Sequence, residues 1–254
     1  MDESIHPKSA VRSATREKQN ADRTRKSLMK MSAAACELVF VRHGETNWNV
    51  EKRLQGHTDP QPALSSIGKQ QAEQLSKHLI NFDFDAIYSS DLSRAVDTAM
   101  ILCKSKPKLA KLTTMFGLRE RCLGVLEGLT MEEARLQHPD LVVKLAKASS
   151  DFPLTSRIEP HNDFSQRVLT TVLDIASKHP KGKVLVVTHG GVLRTISQVA
   201  GQWTRSSKIE NCSVYTAHID CSCKPPLLAL TNLNVAGGLD TSPKASTSDN
   251  DVYG

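Results

Sequence analysis

Three apolar runs of strand length each end on polar or basic residues that open a turn or a helix, and this repetition limits the fold more than any other feature. CELVFV (36–41) runs into Arg42, His43 and Gly44; FDAIYSS (84–90) runs into DLSRAVDTAMILCK; KVLVVTH (183–189) runs into GGVLRTISQVAG. Apolar, β-branched runs of this length read as strands buried on both faces. Helical periodicity fills the intervals. LSSIGKQQAEQLSKHL (64–79) carries Ile67, Leu75 and Leu79 near one face behind Ser65 or Ser66 as N-cap, and Asp91 is placed to cap a helix with Leu92, Val96 and Met100 four apart. TMEEARLQHPDLVVKLAKA (130–148) opens on a capping box of Thr130 and Glu133, and NDFSQRVLTTVLDIASKH (162–179) aligns Phe164, Val168, Val172 and Ile175. SVYTAHI and PLLALTNL read as closing strands. Strands alternating with such helices predict an α/β fold, its mainly parallel central sheet covered by helices on both faces.

The remaining chain bounds this unit. Of 254 residues, those from 36 to 235 form one expected domain. Residues 1–35 hold eight Lys/Arg against four Asp/Glu, +4 of the net charge of +6, without apolar periodicity. Composition predicts a disordered basic extension there and a disordered Gly/Ser/Asp-rich tail over 236–254. The extension reads as a solvated tail, a basic arm for anionic partners, or an organelle-targeting peptide rich in Arg and Ser; Asp2 and Glu3 weaken the last, and no aromatics are present to stack on nucleic acid. Met31 is a candidate alternative start. No apolar run reaches the roughly 20 residues of a membrane span, and no secretory h-region opens the chain. Six scattered cysteines argue for reduced thiols in an intracellular, by default cytoplasmic, compartment. Cys221 and Cys223 lack the second ligand pair a zinc site needs.

In an open α/β sheet, ligands bind beyond the carboxyl ends of the strands. Arg42 and His43, then Ser89 and Arg94, then His189, Gly190 and Gly191 all leave such ends, so the topology can bring them together. Two guanidinium forks beside helix N-termini make a phosphate-sized anion site. A neutral imidazole there can attack phosphorus while a second donates to the equatorial oxygens. The leaving oxygen needs a proton, and a carboxyl beside a phosphate dianion holds one more tightly; Glu120 in FGLRERCLGVLEG is the candidate. Taken singly, each of these residues is commonplace as a structural histidine or solvated arginine.

FVRHGETNWN, RLQGHTD, SSDLSRAVDTA, LRERCLG with EGLT, THGGVLR and NCSV occur in that order, and together they resemble the histidine phosphatase superfamily, in its phosphoglycerate-mutase-like branch. The resemblance spans about 37–219. It implies His43 as the nucleophile that becomes phosphohistidine, Arg42 and Arg94 gripping the phosphate, and His189 completing the basic pocket. It further implies Asn49 and Gly190 as phosphate contacts, Gln55 and Gly56 on the substrate side, and Glu120 as the acid that later activates water. No metal and no cofactor are implied. Glu45 and Asp91 are left as structural groups; His57, Arg53 and Arg121 are candidates for touching an anionic substrate; Trp48 and Trp203 read as packing residues.

The family holds phosphatases and mutases. About sixty residues separate Gly128 from His189, the stretch LVVKLAKASSDFPLTSRIEP lacks an Arg-Arg pair, Leu123 replaces the mutase's usual tyrosine, and EGLT replaces its QGLNK. Hydrolysis of small phosphomonoesters is therefore expected, of sugar phosphate or phosphoglycerate type, by a monomer or homodimer with no membrane or nucleic-acid partner. The alternatives are a bisphosphoglycerate-dependent phosphoglycerate mutase and a non-catalytic phosphate-ligand binding protein. Departures from the family pattern touch specificity: DPQPALSS is longer than DxPLS, Leu126 stands where many phosphatases place tryptophan, and TSRIEPHND lacks GGES, with Glu159 as partial replacement.

Overall fold

A computed structural model describes residue 31 and residues 33–104, 111–202 and 208–233; most of the two expected extensions, and Trp203, lie outside the described residues. Six strands, β1 (Cys36–Arg42), β2 (Ala86–Ser90), β3 (Leu112–Met115), β4 (Lys183–Thr188), β5 (Val214–Asp220) and β6 (Leu227–Leu233), form one sheet in the order β3-β2-β4-β1-β5-β6. The pairs β3-β2, β2-β4 and β4-β1 are parallel, while β1-β5 and β5-β6 are antiparallel. The sheet is thus mostly parallel, as the sequence implies.

Period-two alternation divides each central strand between two cores. Leu38, Phe40, Val184 and Val186 point to one face, under Phe164, Val168, Val172 and Ile175 of α6 (His161–Lys178) and Val192, Leu193 and Ile196 of α7 (Gly190–Val199). Val39, Val41, Leu185 and Val187 point to the other, under Ala72 and Leu75 of α2 (Ser66–His78) and Ala95, Ala99 and Leu102 of α3 (Ser93–Cys103). Burial on both faces explains the continuous apolar runs.

Three helical details depart from the sequence reading. The buried face of α3 is the small-residue set Ala95, Thr98 and Ala99 with Leu102, whereas Met100 is 53% exposed: close helix approach selects small side chains over large ones. Ile67 is likewise exposed. The segment expected as one helix from 130 is two, α4 (Met131–Gln137) and α5 (Pro139–Ala146), because Pro139 has no N–H and pushes His138 out of the helical region, to φ −139°, ψ 54°. The capping box of Thr130 and Glu133 opens α4 as expected. Ser65, not Ser66, caps α2.

A third cluster, Leu54, Leu123, Leu126, Met131, Ala134, Val142, Leu145 and Ile158, lies apart from the two sheet cores. It supports a wall rising beside the carboxyl edge of the sheet. That edge is level: Arg42 pairs with Thr188 and Ser89 with Val187, so the residues leaving β1, β2 and β4 emerge side by side.

Candidate active site

The parallel pairing of β1 and β4 continues one residue past the strands, the His43 amide donating to the Thr188 carbonyl at 2.9 Å, which fixes His43 at the sheet edge. His189 leaves β4 as the residue before α7, and the two imidazole centroids are 5.2 Å apart. Arg94 enters from the first turn of α3. Arg42, His43, Arg94, Glu120 and His189 are all buried.

The His43 ring places Nδ1 2.8 Å from the Gly44 carbonyl oxygen. A carbonyl only accepts, so Nδ1 carries the proton and Nε2 keeps the lone pair. Burial, then Arg94 and Arg42, pull the His43 pKa well below its usual value, against the Gly44 hydrogen bond. His189 is lowered by burial, Arg94, His43, Arg42 and His57. Both rings are therefore neutral at neutral pH. Burial brings Arg94 down to about 10, opposed by Glu120 and Glu127, so it stays protonated there.

Arg94 Nη2 donates to the Gly56 carbonyl at 3.1 Å, while Nε and Nη1 of Arg94 and both nitrogens of His189 are buried without a hydrogen-bond partner. Each such group costs on the order of 1–3 kcal/mol. A ligand rich in acceptor oxygens would satisfy the two free Arg94 donors and the single N–H of the neutral His189 ring, three donors against one imidazole acceptor, so the arrangement favours an oxyanion.

Glu120 rests on two backbone amides, Oε1 accepting from Arg121 N and Oε2 from Gly191 N, both at 2.8 Å. Gly191, in the first turn of α7, makes this approach possible, since a Cβ there would lie 2.0 Å from Oε1. Behind Glu120 its carbonyl accepts from His57 Nε2 at 2.6 Å and from Arg167 Nη2 at 3.3 Å. The Arg167 guanidinium also reaches the carbonyls of Phe116, Gly117 and Arg119, and it pairs with both carboxylate oxygens of Glu159 at 2.7 and 2.8 Å. Glu159 Oε2 in turn accepts from Cys122 N at 3.2 Å. Arg167 was invisible in the sequence because four of its partners are main-chain carbonyls, which carry no side-chain signature, and Glu159 alone does not mark it.

Thr46 organises the two amide residues that the sequence singles out, Asn49 and Gln55. Its hydroxyl lies 2.8 Å from Gln55 Oε1 and 3.0 Å from Asn49 Oδ1, and Asn49 Oδ1 also accepts from Thr46 N at 3.0 Å and Asn211 Nδ2 at 3.3 Å. The acceptor ends of Asn49 and Gln55 are thus used within the protein, which fixes which end of each amide is the oxygen. Asn211 further holds the His43 carbonyl at 3.0 Å, and Asn49 serves as N3 of the capping box that opens α1 (Asn47–Val50). Gly56 packs on Glu127, whose Oε1 would lie 2.0 Å from a Cβ at that position. Glu127 Oε1 ties three amides, His57 N, Leu123 N and Gly124 N, at 2.9, 2.8 and 3.2 Å. Gly190 opens α7 directly after His189.

Other expectations resolve into scaffolding. Asp91 does not cap α3, whose N-cap is Leu92 without a side-chain bond; it receives a bidentate pair from Arg119 at 2.7 and 2.8 Å, which holds its carboxyl below the usual range against the effect of burial. Arg121 is buried, donating to the Glu159 carbonyl at 2.8 Å and lying 5.4 Å over the Phe152 ring, so it faces the wall. Arg53 pairs with Glu51 and Glu133 and donates to the Gly128 carbonyl. Trp48 packs over Gly128. Among the described residues, no three of His, Cys, Asp and Glu converge on a metal-sized point.

Comparison with known proteins agrees with this geometry. The family model of the histidine phosphatase superfamily (branch 1) matches residues 38–228. The chain is 38% identical over 180 residues to phosphoglycerate mutase-like protein 4 of Arabidopsis thaliana, covering 70% of this chain and 77% of that one. It is 34% identical over 194 residues to the metal-independent phosphoserine phosphatase of the same plant, covering 75% and 79%. The solved structure of Bacillus stearothermophilus YhfR superposes with a TM-score of 0.67 at 32% identity, over 81% of this chain and 98% of that one. With the family's fold around a level edge of paired histidines and arginines, the chain belongs to the histidine phosphatase superfamily.

Proposed function

We propose that this phosphatase of the histidine phosphatase superfamily hydrolyses small phosphomonoesters in two displacements at phosphorus, through phosphohistidine on His43 and without a metal. The observation that carries the reading is the His43 tautomer: with Nδ1 committed to the Gly44 carbonyl, the lone pair sits on Nε2, in a pocket where Arg94 and His189 hold unused buried groups. In the first step the Nε2 lone pair forms a bond to phosphorus as the ester P–O bond breaks. Its electron pair leaves on the oxygen, which takes the proton of the Glu120 carboxyl. In the second, the Glu120 carboxylate takes a proton from water, whose oxygen bonds to phosphorus while the P–N pair returns to Nε2. Arg42, Arg94, His189, the amides of Asn49 and Gln55, and Gly190 at the α7 N-terminus bind the phosphoryl oxygens and hold charge that develops on them.

The substrates fitting this site are small phosphorylated metabolites of sugar phosphate, phosphoglycerate or phosphoamino acid type. The relative named for phosphoserine is the reason to include that ester. No helix among the described residues is long and apolar enough to cross a membrane; we assign the protein to the cytoplasm, as a monomer or homodimer with one catalytic domain over 36–235.

The test is phosphate release from an aryl phosphate and a panel of phosphoserine, sugar phosphates and phosphoglycerates with EDTA present. Wild type releases phosphate and His43→Ala loses at least about 10³-fold in kcat. Equal rates in the two proteins would sink the nucleophile assignment. Interconversion of 2- and 3-phosphoglycerate with bisphosphoglycerate, faster than phosphate release, would show a mutase instead.

A further inference from the structure

Thr98 lies in the middle of α3 on its fully buried face, one helical turn beyond Arg94. Its hydroxyl donates its single proton to the Arg94 carbonyl at 2.7 Å, the i−4 partner a helical threonine ordinarily reaches. That leaves the oxygen as a pure acceptor, and it receives the Gly44 amide at 3.0 Å, across 54 residues of sequence. The same Gly44 presents its carbonyl to His43 Nδ1 at 2.8 Å. One hydroxyl therefore joins the backbone carrying the anion-gripping Arg94 to the residue that fixes the tautomer of the imidazole.

The geometry points to Thr98 as a positioning residue for the phosphoryl transfer. It holds the Gly44 peptide so that its carbonyl stays aligned on Nδ1 and Nε2 faces the phosphorus above Arg94. Three observations support this over a merely structural hydroxyl. The Gly44 amide is buried and has Thr98 as its acceptor. Gly44 is confined on its other side, since a Cβ there would lie 2.5 Å from the Gly68 carbonyl, so this residue cannot drift without moving α2. The helix itself needs nothing from the hydroxyl, because its i−4 bond only duplicates a carbonyl already within the helical ladder.

The inference rests on His43 as nucleophile, and the experiment separates the two. Rapid-quench trapping of phosphohistidine from an aryl phosphate is compared in wild type, Thr98→Val and Thr98→Ser, together with the 15N resonances of the His43 ring. A wild type that forms no phosphohistidine on His43 removes the nucleophile assignment, whereas the ring resonances still test the positioning. In Thr98→Val the phosphorylation rate falls about 10- to 100-fold, the scale of a small misplacement at the reacting atom, with affinity for inorganic phosphate changed less than about threefold. Its Nδ1 resonance moves from the protonated position toward the mixed-tautomer average. Thr98→Ser keeps the oxygen and retains the wild-type rate and ring signature. A Val variant with wild-type rate and tautomer overturns the proposal; so does a Ser variant losing tenfold, which is decisive even where the Val variant fails to fold.

Discussion

The floor and the wall of the pocket satisfy their buried polar groups in opposite ways. On the floor, at the carboxyl edge of the sheet, Arg94 and His189 keep buried nitrogens without partners. In the wall the charged groups are saturated: Arg167 meets four carbonyls and a carboxylate, Glu127 meets three amides, and Arg119 is paired with Asp91. Both sets are polar and close together, yet only one is poised for a ligand. What distinguishes a binding residue from a bracing residue here is unmet hydrogen-bonding capacity.

The sharpest test of that contrast is Arg94→Met. Removing a buried, partly unpaired cation should cost about 10³- to 10⁴-fold in kcat/KM on phosphomonoesters while leaving Tm unchanged or higher in phosphate-free buffer. A clear Tm loss would mean that Arg94 braces the fold. Next in size is Glu120→Gln, which keeps the shape but has no proton to give. Here kcat on alkyl phosphates falls about 10²- to 10³-fold, and less on an aryl phosphate whose leaving oxygen needs little help; equal losses on both would contradict the acid role.

Arg167→Met should behave as the mirror image of Arg94→Met. It strands Glu159 and four carbonyls, and chemical denaturation should report a loss of about 3 kcal/mol, or a Tm fall of roughly 6–12 °C. Phosphate affinity measured on the folded fraction stays near wild type; a variant that keeps its stability and loses phosphate would reverse the assignment of floor and wall.

The smallest effect is in the pH dependence of stability. Both floor histidines have folded pKa values well below their unfolded value near 6.5. The unfolded chain therefore binds more protons in that interval, so their contribution is fully present above about pH 6.5 and declines as pH falls toward the folded values. The slope is at most about 1.4 kcal/mol per pH unit for each ring. His189→Gln, measured by Tm from pH 7 down to 5, should flatten the slope; an unaltered slope would place the titration elsewhere.

The floor was legible in the sequence and the wall was not, for physical reasons. Arg42, His43 and His189 sit at the ends of apolar runs whose strand character is written in local composition, and the parallel topology does the rest. β3, by contrast, is the four-residue LTTM, too short and too polar to announce itself, and it was missed. The face of α3 differs from the sequence reading because Val96 and Met100 outrank Ala95 and Ala99 in hydrophobicity but not in fit, whereas Leu92, at the N-cap, is buried as its apolar character implies. Thr46, Thr98, Glu127 and Arg167 act through main-chain partners or through side chains brought near only by folding. Asp91 looked like a cap until Arg119, 28 residues away, claimed it.

The contact between Glu120 and the first turn of α7 also shows how little separates turnover from capture. In the mechanism proposed above, Arg42, Arg94 and His189 grip the phosphate, whereas the proton comes from Glu120, whose carboxyl fits only because residue 191 has no side chain. Gly191→Ala would displace the acid and leave the grip intact. The chain would then hold a phosphate ester and let it go unbroken, so a single methyl group divides a catalyst from a receptor built on the same frame.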